Sequence, residues 1–301
     1  MKSYDLYSYN GLEKNEFWRT LIGFFLFILI VFFLYGGGLF FLSRLEHTIS
    51  LKHQKLTTLL LFTSFTIWHI ALFFVVFFIH RRSYFSLVGV CGKISGRHFV
   101  RAFLVTMLIS LFALIITPFE SFFFEEKYLP DVEIVKITHW VRWVFPAIIV
   151  IFIQISAEEL LFRGYLLQQF IARFKSFWIW AIVPSILFGA GHFDFHSFGY
   201  NTYFYMANAT IFGIMASILT VKSKNISYAL GMHFFNNVTG VLLLGLGDSL
   251  SGLALINYYF DKTGIYMTYI IISQSILHMI CLLYTSPSPR DAHESRMPSS
   301  A

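Results

Sequence analysis

Long apolar runs, separated by short polar stretches, form the dominant pattern along the chain. A helix needs about 20 apolar residues to cross a bilayer core that is roughly 30 Å thick. Eight runs reach or approach this length, at 18–42, 56–79, 102–124, 141–168, 177–193, 203–221, 226–246 and 264–280. The pattern therefore predicts an all-α fold, a polytopic integral membrane helix bundle with about eight transmembrane helices.

The composition supports this prediction and excludes soluble classes of protein. Of the 301 residues, 57% are hydrophobic, 13% are charged and 37 are Phe, which is more apolar surface than a soluble fold of this length could bury. The net charge of +6 does not predict nucleic-acid binding, because basic residues of membrane proteins concentrate in cytoplasmic loops. With the N-terminus inside, twelve Lys and Arg residues fall on inner segments and seven on outer segments. We therefore expect a multi-pass cell-membrane protein with a cytoplasmic N-terminus and membrane lipids as partners.

The segment 281–301 differs in character from the rest of the chain. It begins with CLLYTSPSPRD, which matches the in-frame translation of a sequencing adapter, and it holds three of the seven prolines. We expect this segment not to be native, so it carries no weight for the fold. The last apolar run is then truncated near Ile280, and Cys91 is the one cysteine left in the sequence. A single cysteine predicts no internal disulfide.

Two adjacent acidic residues interrupt the fourth apolar run. Glu158 and Glu159 follow the sequence AIIVIFIQISA, and Arg163 comes four residues after Glu159. Ionisable side chains at membrane depth cost about 2.5–3.5 kcal/mol on insertion scales and mark functional sites by default. Because residues four apart share a helix face, Glu159 and Arg163 can form an ion pair. Glu158 is expected to point away from that pair, toward a different partner.

Two further pairs of residues lie in later apolar runs. Phe188 and His192 are four residues apart in SILFGAGH, and His233 and Asn237 are four residues apart in LGMHFFNN. Each pair shares one helix face. His233 and Asn237 can therefore converge on one ligand, and the small residues between Phe188 and His192 allow another backbone to approach closely.

Counting along the chain gives a rough depth for these residues. If the chain turns near residue 175, Glu158 lies 17 residues before the turn and His192 lies 17 residues after it. An antiparallel hairpin then places both about 25 Å from the turn, at 1.5 Å per residue. His233 lies nine residues past the next inner charge, so the count leaves its level open.

The motifs Glu-Glu-x-x-x-Arg, Phe-x-x-x-His and His-x-x-x-Asn occur in this order on separate apolar runs. Over residues 140–245 the chain resembles the CPBP family, which comprises the type II CAAX prenyl endopeptidases and the bacterial Abi proteins linked to bacteriocin processing and self-immunity. The resemblance implies an intramembrane endopeptidase core at 140–245. Its expected substrate is a peptide or protein, with or without an attached lipid. Residues 1–139 would form transmembrane helices without a motif, and 246–280 would form a loop and a truncated helix.

The resemblance also implies roles for the motif residues. Glu158 would be the general base that activates a water, with help from His192. His233 and Asn237 would stabilise the oxyanion, and both side chains are suitable donors in a water-poor cavity. The residues implied to support these groups are Glu159, Arg163 and Phe188.

Other functions stay open at this point. A non-catalytic immunity or scaffold protein could share the fold, and a proton-coupled transporter could use the same buried carboxylates. The string GLGD at 245–248 matches the GxGD motif of intramembrane aspartyl proteases, but no second aspartate lies within a predicted span. The sequence has no serine in a glycine-flanked motif and no His-Glu-x-x-His, so rhomboid-type serine chemistry and the usual zinc protease chemistry are not indicated.

The sequence predicts catalysis without a cofactor or metal, with zinc as the alternative. Glu158, His192 and His233 could form a set of two His and one Glu around zinc. Against this, Asn237 shares the face of His233, and an amide is a poor zinc ligand. The string HFDFH at 192–196 is a second, weaker candidate. Four ionisable residues without a motif are expected to be structural: His69, Glu120, His196 and His278.

Overall fold

The structure is a computed structural model that describes residues 16–45, 54–114, 120, 122–247 and 251–285. Within these ranges the chain is mainly helical, as its apolar runs predict. The helices in chain order are α1 Phe17–Leu45, α2 Gln54–Thr63, α3 Thr66–Phe74, α4 Gly96–Leu114, α5 Ile137–Arg173, α6 Trp178–Ala190, α7 Phe195–Phe198, α8 Asn201–Ser223, α9 Ser227–Asn237 and α10 Ile265–Thr285.

Several of these helices contain π-helical segments. In α5 the α-helical part ends at Glu159, and the segment Leu160–Leu166 is π-helical before the α-helix resumes. α3 and α9 continue as the π-helical segments Val75–Ile79 and Val238–Leu243, and α6 begins as one over Trp178–Ile182. Such segments are rare and occur often at functional sites, and the one in α5 directly follows the acidic pair.

The prediction of an all-α membrane bundle is confirmed, whereas the count of eight spans is not. Five helical segments in the described ranges are long and apolar enough to cross a membrane: Phe17–Gly38, Lys55–Ile79, Ile137–Arg173, Asn201–Ser223 and Ile265–Tyr284. The span predicted at 102–124 is not confirmed: α4 ends at Leu114, a 3-10 turn follows at Glu126–Tyr128, and residues 115–119 and 121 lie outside the described ranges.

The helices pack closely around α5 and α8. α9 lies against α4 and α5, while α8 lies against α6 and α10. Glycines allow the closest approaches: a Cβ on Gly189 of α6 would meet the Met206 carbonyl oxygen of α8 at 2.6 Å. A Cβ on Gly164 of α5 would meet the Leu87 carbonyl oxygen at 2.8 Å. Small residues at such contacts are typical of helix packing in membranes.

Large apolar side chains cover the outside of the bundle. Phe32 and Phe33 on α1 are each 68% exposed, and Phe112 on α4 is 66% exposed. Exposed apolar area of this extent would be costly in water and is typical of the outer surface of a membrane protein. The surface and the five long apolar helices together identify a membrane protein.

A small sheet, which the sequence analysis did not predict, joins the ends of two helices. Its strands are β1 Asp131–Ile134, β2 Leu244–Gly245 and β3 Ile256–Tyr259, in the order β1-β3-β2. β1 pairs antiparallel with β3, with Asp131 opposite Tyr259, and β2 pairs parallel with β3. Because β1 leads into α5 and β2 follows the π-helical end of α9, the sheet ties these two helices together.

A second contact between loops lies among segments predicted to be on the inner side. Gly89 forms an isolated bridge with Asn225, and the Asn225 side chain donates to the carbonyl of Lys93 at 2.8 Å. The sheet, by contrast, joins two segments predicted to be on the outer side, β1 and β3, with β2 at the outer end of the predicted span 226–246. The two sets of contacts are consistent with a chain that crosses the membrane back and forth.

The C-terminal predictions fall partly outside the described residues. α10 ends at Thr285, so it includes the first residues of the adapter-like segment 281–301, and the remainder of that segment lies outside the described ranges. The division of the chain at 139 and 245 stays a prediction. The interval 246–280 holds β3 and most of α10 rather than only a loop and a helix.

Candidate active site

Glu159 forms the centre of the predicted site. Its Oε1 atom accepts hydrogen bonds from Arg163 at 3.0 Å and from Nδ1 of His233 at 2.8 Å. The side chains of Glu159 and Arg163 are 0% and 1% exposed, so the predicted ion pair exists and is fully buried. A buried pair of this kind is costly to break, because removing one partner leaves the other charge uncompensated.

His233 lies between the two acidic residues of α5. Its Nδ1 atom faces Glu159, and its Nε2 atom lies 3.6 Å from Oε2 of Glu158. The expectation that Glu158 points away from Glu159 toward a separate partner is wrong, because one imidazole ring offers a nitrogen to each carboxylate. Since an ionised carboxylate can only accept, the proton between Glu159 and His233 belongs to Nδ1.

The charges of this cluster depend on one proton. Two ionised carboxylates and Arg163 leave a net charge of −1 when His233 is neutral. A protonated His233, or a protonated Glu158, makes the group neutral. Isolated charge is costly in an apolar interior, and the four groups compensate one another to within one unit of charge.

Phe188 connects the three motifs. Its ring centre lies 4.4 Å from the Arg163 guanidinium, 4.8 Å from the His192 ring and 6.0 Å from the His233 ring. Guanidinium groups are attracted to aromatic faces, and the attraction increases when water is excluded. Phe188 of α6 therefore lies beside Arg163 of α5, and the common level of Glu158 and His192 stays a prediction.

His192 lies just beyond the end of α6 and is half-buried. Its Nδ1 atom is 2.9 Å from the Phe188 carbonyl oxygen. A carbonyl can only accept, so Nδ1 carries the proton and the neutral ring presents a lone pair at Nε2. His192 is thus placed as a proton acceptor on the side of its ring that faces away from α6.

Asn237 lies one turn after His233 and contacts a residue that no motif contains. Its Nδ2 atom donates to Oε1 of Gln154 at 2.6 Å. Gln154 is 6% exposed and lies one turn before Glu158 on α5. A glutamine within the apolar run IFIQISA is a signal that the sequence contained. Its spacing of four residues to Glu158 indicates that the two side chains share a helix face.

Phe212 on α8 is a second residue that the sequence analysis missed. Its ring centre lies 5.1 Å from the His233 ring, 5.3 Å from the His278 ring and 5.5 Å from the Arg163 guanidinium. One phenylalanine among 37 carries no signal of its own. It packs His278, which is 4% exposed, against the site.

The remaining ionisable residues have contacts outside the cluster. His69 accepts at Nδ1 from the Tyr84 hydroxyl at 2.6 Å and donates at Nε2 to the Ile153 carbonyl at 3.0 Å, which is a structural bond between α3 and α5. Glu120 accepts a hydrogen bond from the Tyr266 hydroxyl at 2.7 Å.

The residues of the suggested zinc sets do not form a metal site. In the part of the chain that the structure describes, no three His, Cys, Asp or Glu side chains are grouped closely enough to hold a metal ion. Asp194 caps the short helix α7 by accepting from the Ser197 backbone at 3.0 Å, and hydrogen bonds from Ser197 hold the pKa of its carboxyl below the usual value. Metal-free chemistry itself stays a prediction.

The fold and the site together define a polytopic helical membrane protein with two carboxylates, an arginine and a histidine buried among its helices. Residues 140–239 match the family model described as type II CAAX prenyl endopeptidase, Rce1-like. The resemblance drawn from the three motifs is thereby confirmed over this region, which contains every residue of the candidate site.

A curated relative extends the similarity beyond the family model. The uncharacterized protein YyaK of Bacillus subtilis strain 168 is 27% identical to the chain over 165 residues. The alignment covers 54% of this chain and 52% of YyaK, so the chain spans about half the length of this relative. No solved structure matches the chain significantly.

Proposed function

We propose that this protein is an intramembrane endopeptidase of the CAAX-processing or bacteriocin-processing and self-immunity type, in which Glu158 activates the attacking water. The difference between the two adjacent carboxylates carries the proposal. Glu159 is fully buried and bonded to Arg163 and His233. Both carboxylates keep an Oε2 atom without a hydrogen-bond partner among the described residues, but the Glu158 side chain is 11% exposed whereas that of Glu159 is 0% exposed. Glu158 is therefore the carboxylate that a water can reach, whereas Glu159 holds the site together.

The first step transfers a proton from water to Glu158, and the resulting hydroxide attacks the scissile carbonyl. His192 assists, because its Nε2 lone pair can accept the second hydrogen of the same water. The Phe188 carbonyl keeps the ring in this tautomer by accepting from Nδ1 at 2.9 Å. The proton held by Glu158 then passes to the leaving amine, so Glu158 ends the cycle as a carboxylate again.

The oxyanion that forms requires hydrogen-bond donors. His233 can present Nε2–H when its ring is protonated, because Glu159 accepts from Nδ1 and stabilises the cation. Asn237 uses one N–H for Gln154 and has a second N–H for the oxyanion. Donors that are held in place before the reaction are worth about 10²–10³-fold in kcat each.

The substrate that fits this site is a peptide or protein segment, with or without an attached lipid. Phe188, Phe212 and Phe162 surround the charged cluster with aromatic surface, which suits an apolar substrate. A prenylated cysteine near a C-terminus is the substrate feature named in the matched family. Lipids contact the exposed apolar faces of the outer helices, and the chemistry proceeds without metal.

The test is a cleavage assay on purified protein in proteoliposomes. The probes are a fluorogenic peptide that ends in a CAAX sequence with a farnesylated cysteine, and the same peptide with a free cysteine. We expect one of the two to be cleaved, at a bond that mass spectrometry identifies. If neither probe is cleaved but a pH gradient drives ion flux, the transporter alternative holds. If neither cleavage nor flux occurs, the scaffold or immunity alternative holds.

A further inference from the structure

We infer that Gln154 is a positioning residue that orients the amide of Asn237 for catalysis, an inference that rests on the proposed function. The Gln154 Oε1 atom accepts a hydrogen bond from Asn237 Nδ2 at 2.6 Å. No motif includes Gln154, yet this side chain is 6% exposed and directly contacts a residue that does belong to one.

In the structure, the amino end of the Asn237 amide faces α5. A carboxamide oxygen can only accept, so Gln154 Oε1 bonds this amino end. The terminal torsion of asparagine is otherwise broad and roughly two-fold. Without Gln154, the amide could turn its oxygen toward a developing oxyanion and repel it. With Gln154 in place, the second N–H of Asn237 keeps one direction.

The position of the pair agrees with this role. Gln154 lies one turn before Glu158 on α5, and Asn237 lies one turn after His233 on α9. The two helices therefore contact each other over two successive helical turns. One turn holds the carboxylates and the imidazole, and the other holds the two amides. The amide pair lies next to the groups that would activate water. A wrong orientation of the Asn237 amide would therefore affect the stabilisation of the reacting atoms.

The chain offers a matched control for this contact. Gln274 on α10 donates to Oδ1 of Asn236 at 3.0 Å, so a second glutamine bonds the asparagine that precedes Asn237. Both contacts are hydrogen bonds between two side-chain amides at nearly the same position along α9, but Gln274 donates whereas Gln154 accepts, and the contacts are on different faces. Gln274→Met removes a hydrogen bond between amides without touching Asn237.

The experiment measures kcat and KM for the farnesylated CAAX peptide with four single variants and one double variant. Gln154→Met should lower kcat about 10- to 100-fold with little change in KM, since a small misplacement of a catalytic group has effects of this size. Gln154→Glu keeps an acceptor oxygen, so its kcat should fall less than that of Gln154→Met. Each variant is assayed at its own optimal pH. Gln274→Met should resemble wild type.

The double variant decides whether Gln154 acts through Asn237. Asn237→Ala should itself lower kcat, and adding Gln154→Met to it should cause no further loss, because interacting residues are not additive. A full additional loss in the double variant, or an equal loss from Gln154→Met and Gln274→Met, would overturn the inference.

The same proteins separate this inference from the proposed function. If Glu158→Gln cleaves normally while the Gln154 and Asn237 effects stay non-additive, the assigned base is wrong and the positioning role stands. If wild type cleaves neither probe, the melting temperatures of the four proteins in the cycle still test the pair. We expect non-additive shifts in melting temperature, and additive shifts would contradict the contact itself.

Discussion

Glu159 and His233 are 74 residues apart in the sequence, yet Glu159 Oε1 lies 2.8 Å from His233 Nδ1 in the interior of the helix bundle. This bond joins the first and third motifs across α5 and α9. It fixes the orientation of the imidazole, so that Nε2 faces Glu158 at 3.6 Å. Of the two adjacent carboxylates, one thus holds the site together and the other is left to react.

Glu159→Gln should destabilise the protein more than Glu158→Gln does. The first change removes the carboxylate charge that faces the buried Arg163, and breaking such a pair costs about 3–5 kcal/mol. The second change affects a side chain that is partly exposed and 3.6 Å from its nearest charged partner. Thermal and chemical unfolding in detergent measure the difference. Equal losses for the two variants would show that the carboxylates do not have separate roles.

Phe188→Leu should lower both stability and peptide turnover. The ring lies 4.4 Å from the Arg163 guanidinium, and a desolvated contact of this kind is worth about 2 kcal/mol. Without the ring, the side chains of Arg163 and His192 should both be held less firmly in place, because the ring contacts both. Phe193→Leu is the matched control, because Phe193 is 54% exposed whereas Phe188 is 3% exposed. If both variants behave alike, the contact of the Phe188 ring with Arg163 and His192 does not contribute to the site.

The native thiol of Cys91 reports the orientation of the protein in the membrane. Cys91 is exposed and lies beside the bridge between Gly89 and Asn225, in a segment predicted to be cytoplasmic. A membrane-impermeant maleimide should therefore label Cys91 only from the cytoplasmic side. In a Cys91→Ser background, Glu126→Cys should be labelled only from outside. The reverse pattern would invert the topology and leave the site chemistry unchanged.

Removing metal ions should not abolish cleavage. The Nδ1 atoms of His233 and His192 bond Glu159 and the Phe188 carbonyl, and the proposed mechanism uses their Nε2 atoms for the oxyanion and the water rather than for a metal ion. The protein is treated with a strong chelator, shown to be metal-free by elemental analysis, and assayed. Activity that disappears and returns with stoichiometric zinc would make the two histidines ligands and refute the prediction.

The sequence was sufficient for contacts within one helix. Spacing of four residues predicted the pairing of Glu159 with Arg163, which the structure contains. Counting residues across the turn after α5 predicts that α6 lies beside α5, and Phe188 of α6 does contact Arg163. The common level of Glu158 and His192 stays a prediction.

Contacts between helices could not be predicted in the same way. The partner of Asn237 depends on how α5 and α9 are rotated and tilted, and the π-helical segment Leu160–Leu166 changes the register of everything after Glu159. Phe212 could not be identified from the sequence, because a single apolar residue does not stand out among the many apolar residues of a membrane protein. The sheet β1-β3-β2 was missed because its strands are too short to show an alternating pattern.

The central claim is that Glu158 takes the proton from the attacking water. Glu158→Gln preserves the size of the side chain and removes the proton acceptor. The most direct measurement is kcat on the cleaved CAAX peptide for wild type, Glu158→Gln and the control Glu133→Gln, whose carboxylate bonds the Tyr259 hydroxyl in the sheet. We predict that Glu158→Gln loses about 10²–10⁴-fold while melting near the wild-type temperature, and that Glu133→Gln keeps full activity. Near-normal turnover by folded Glu158→Gln would contradict the account.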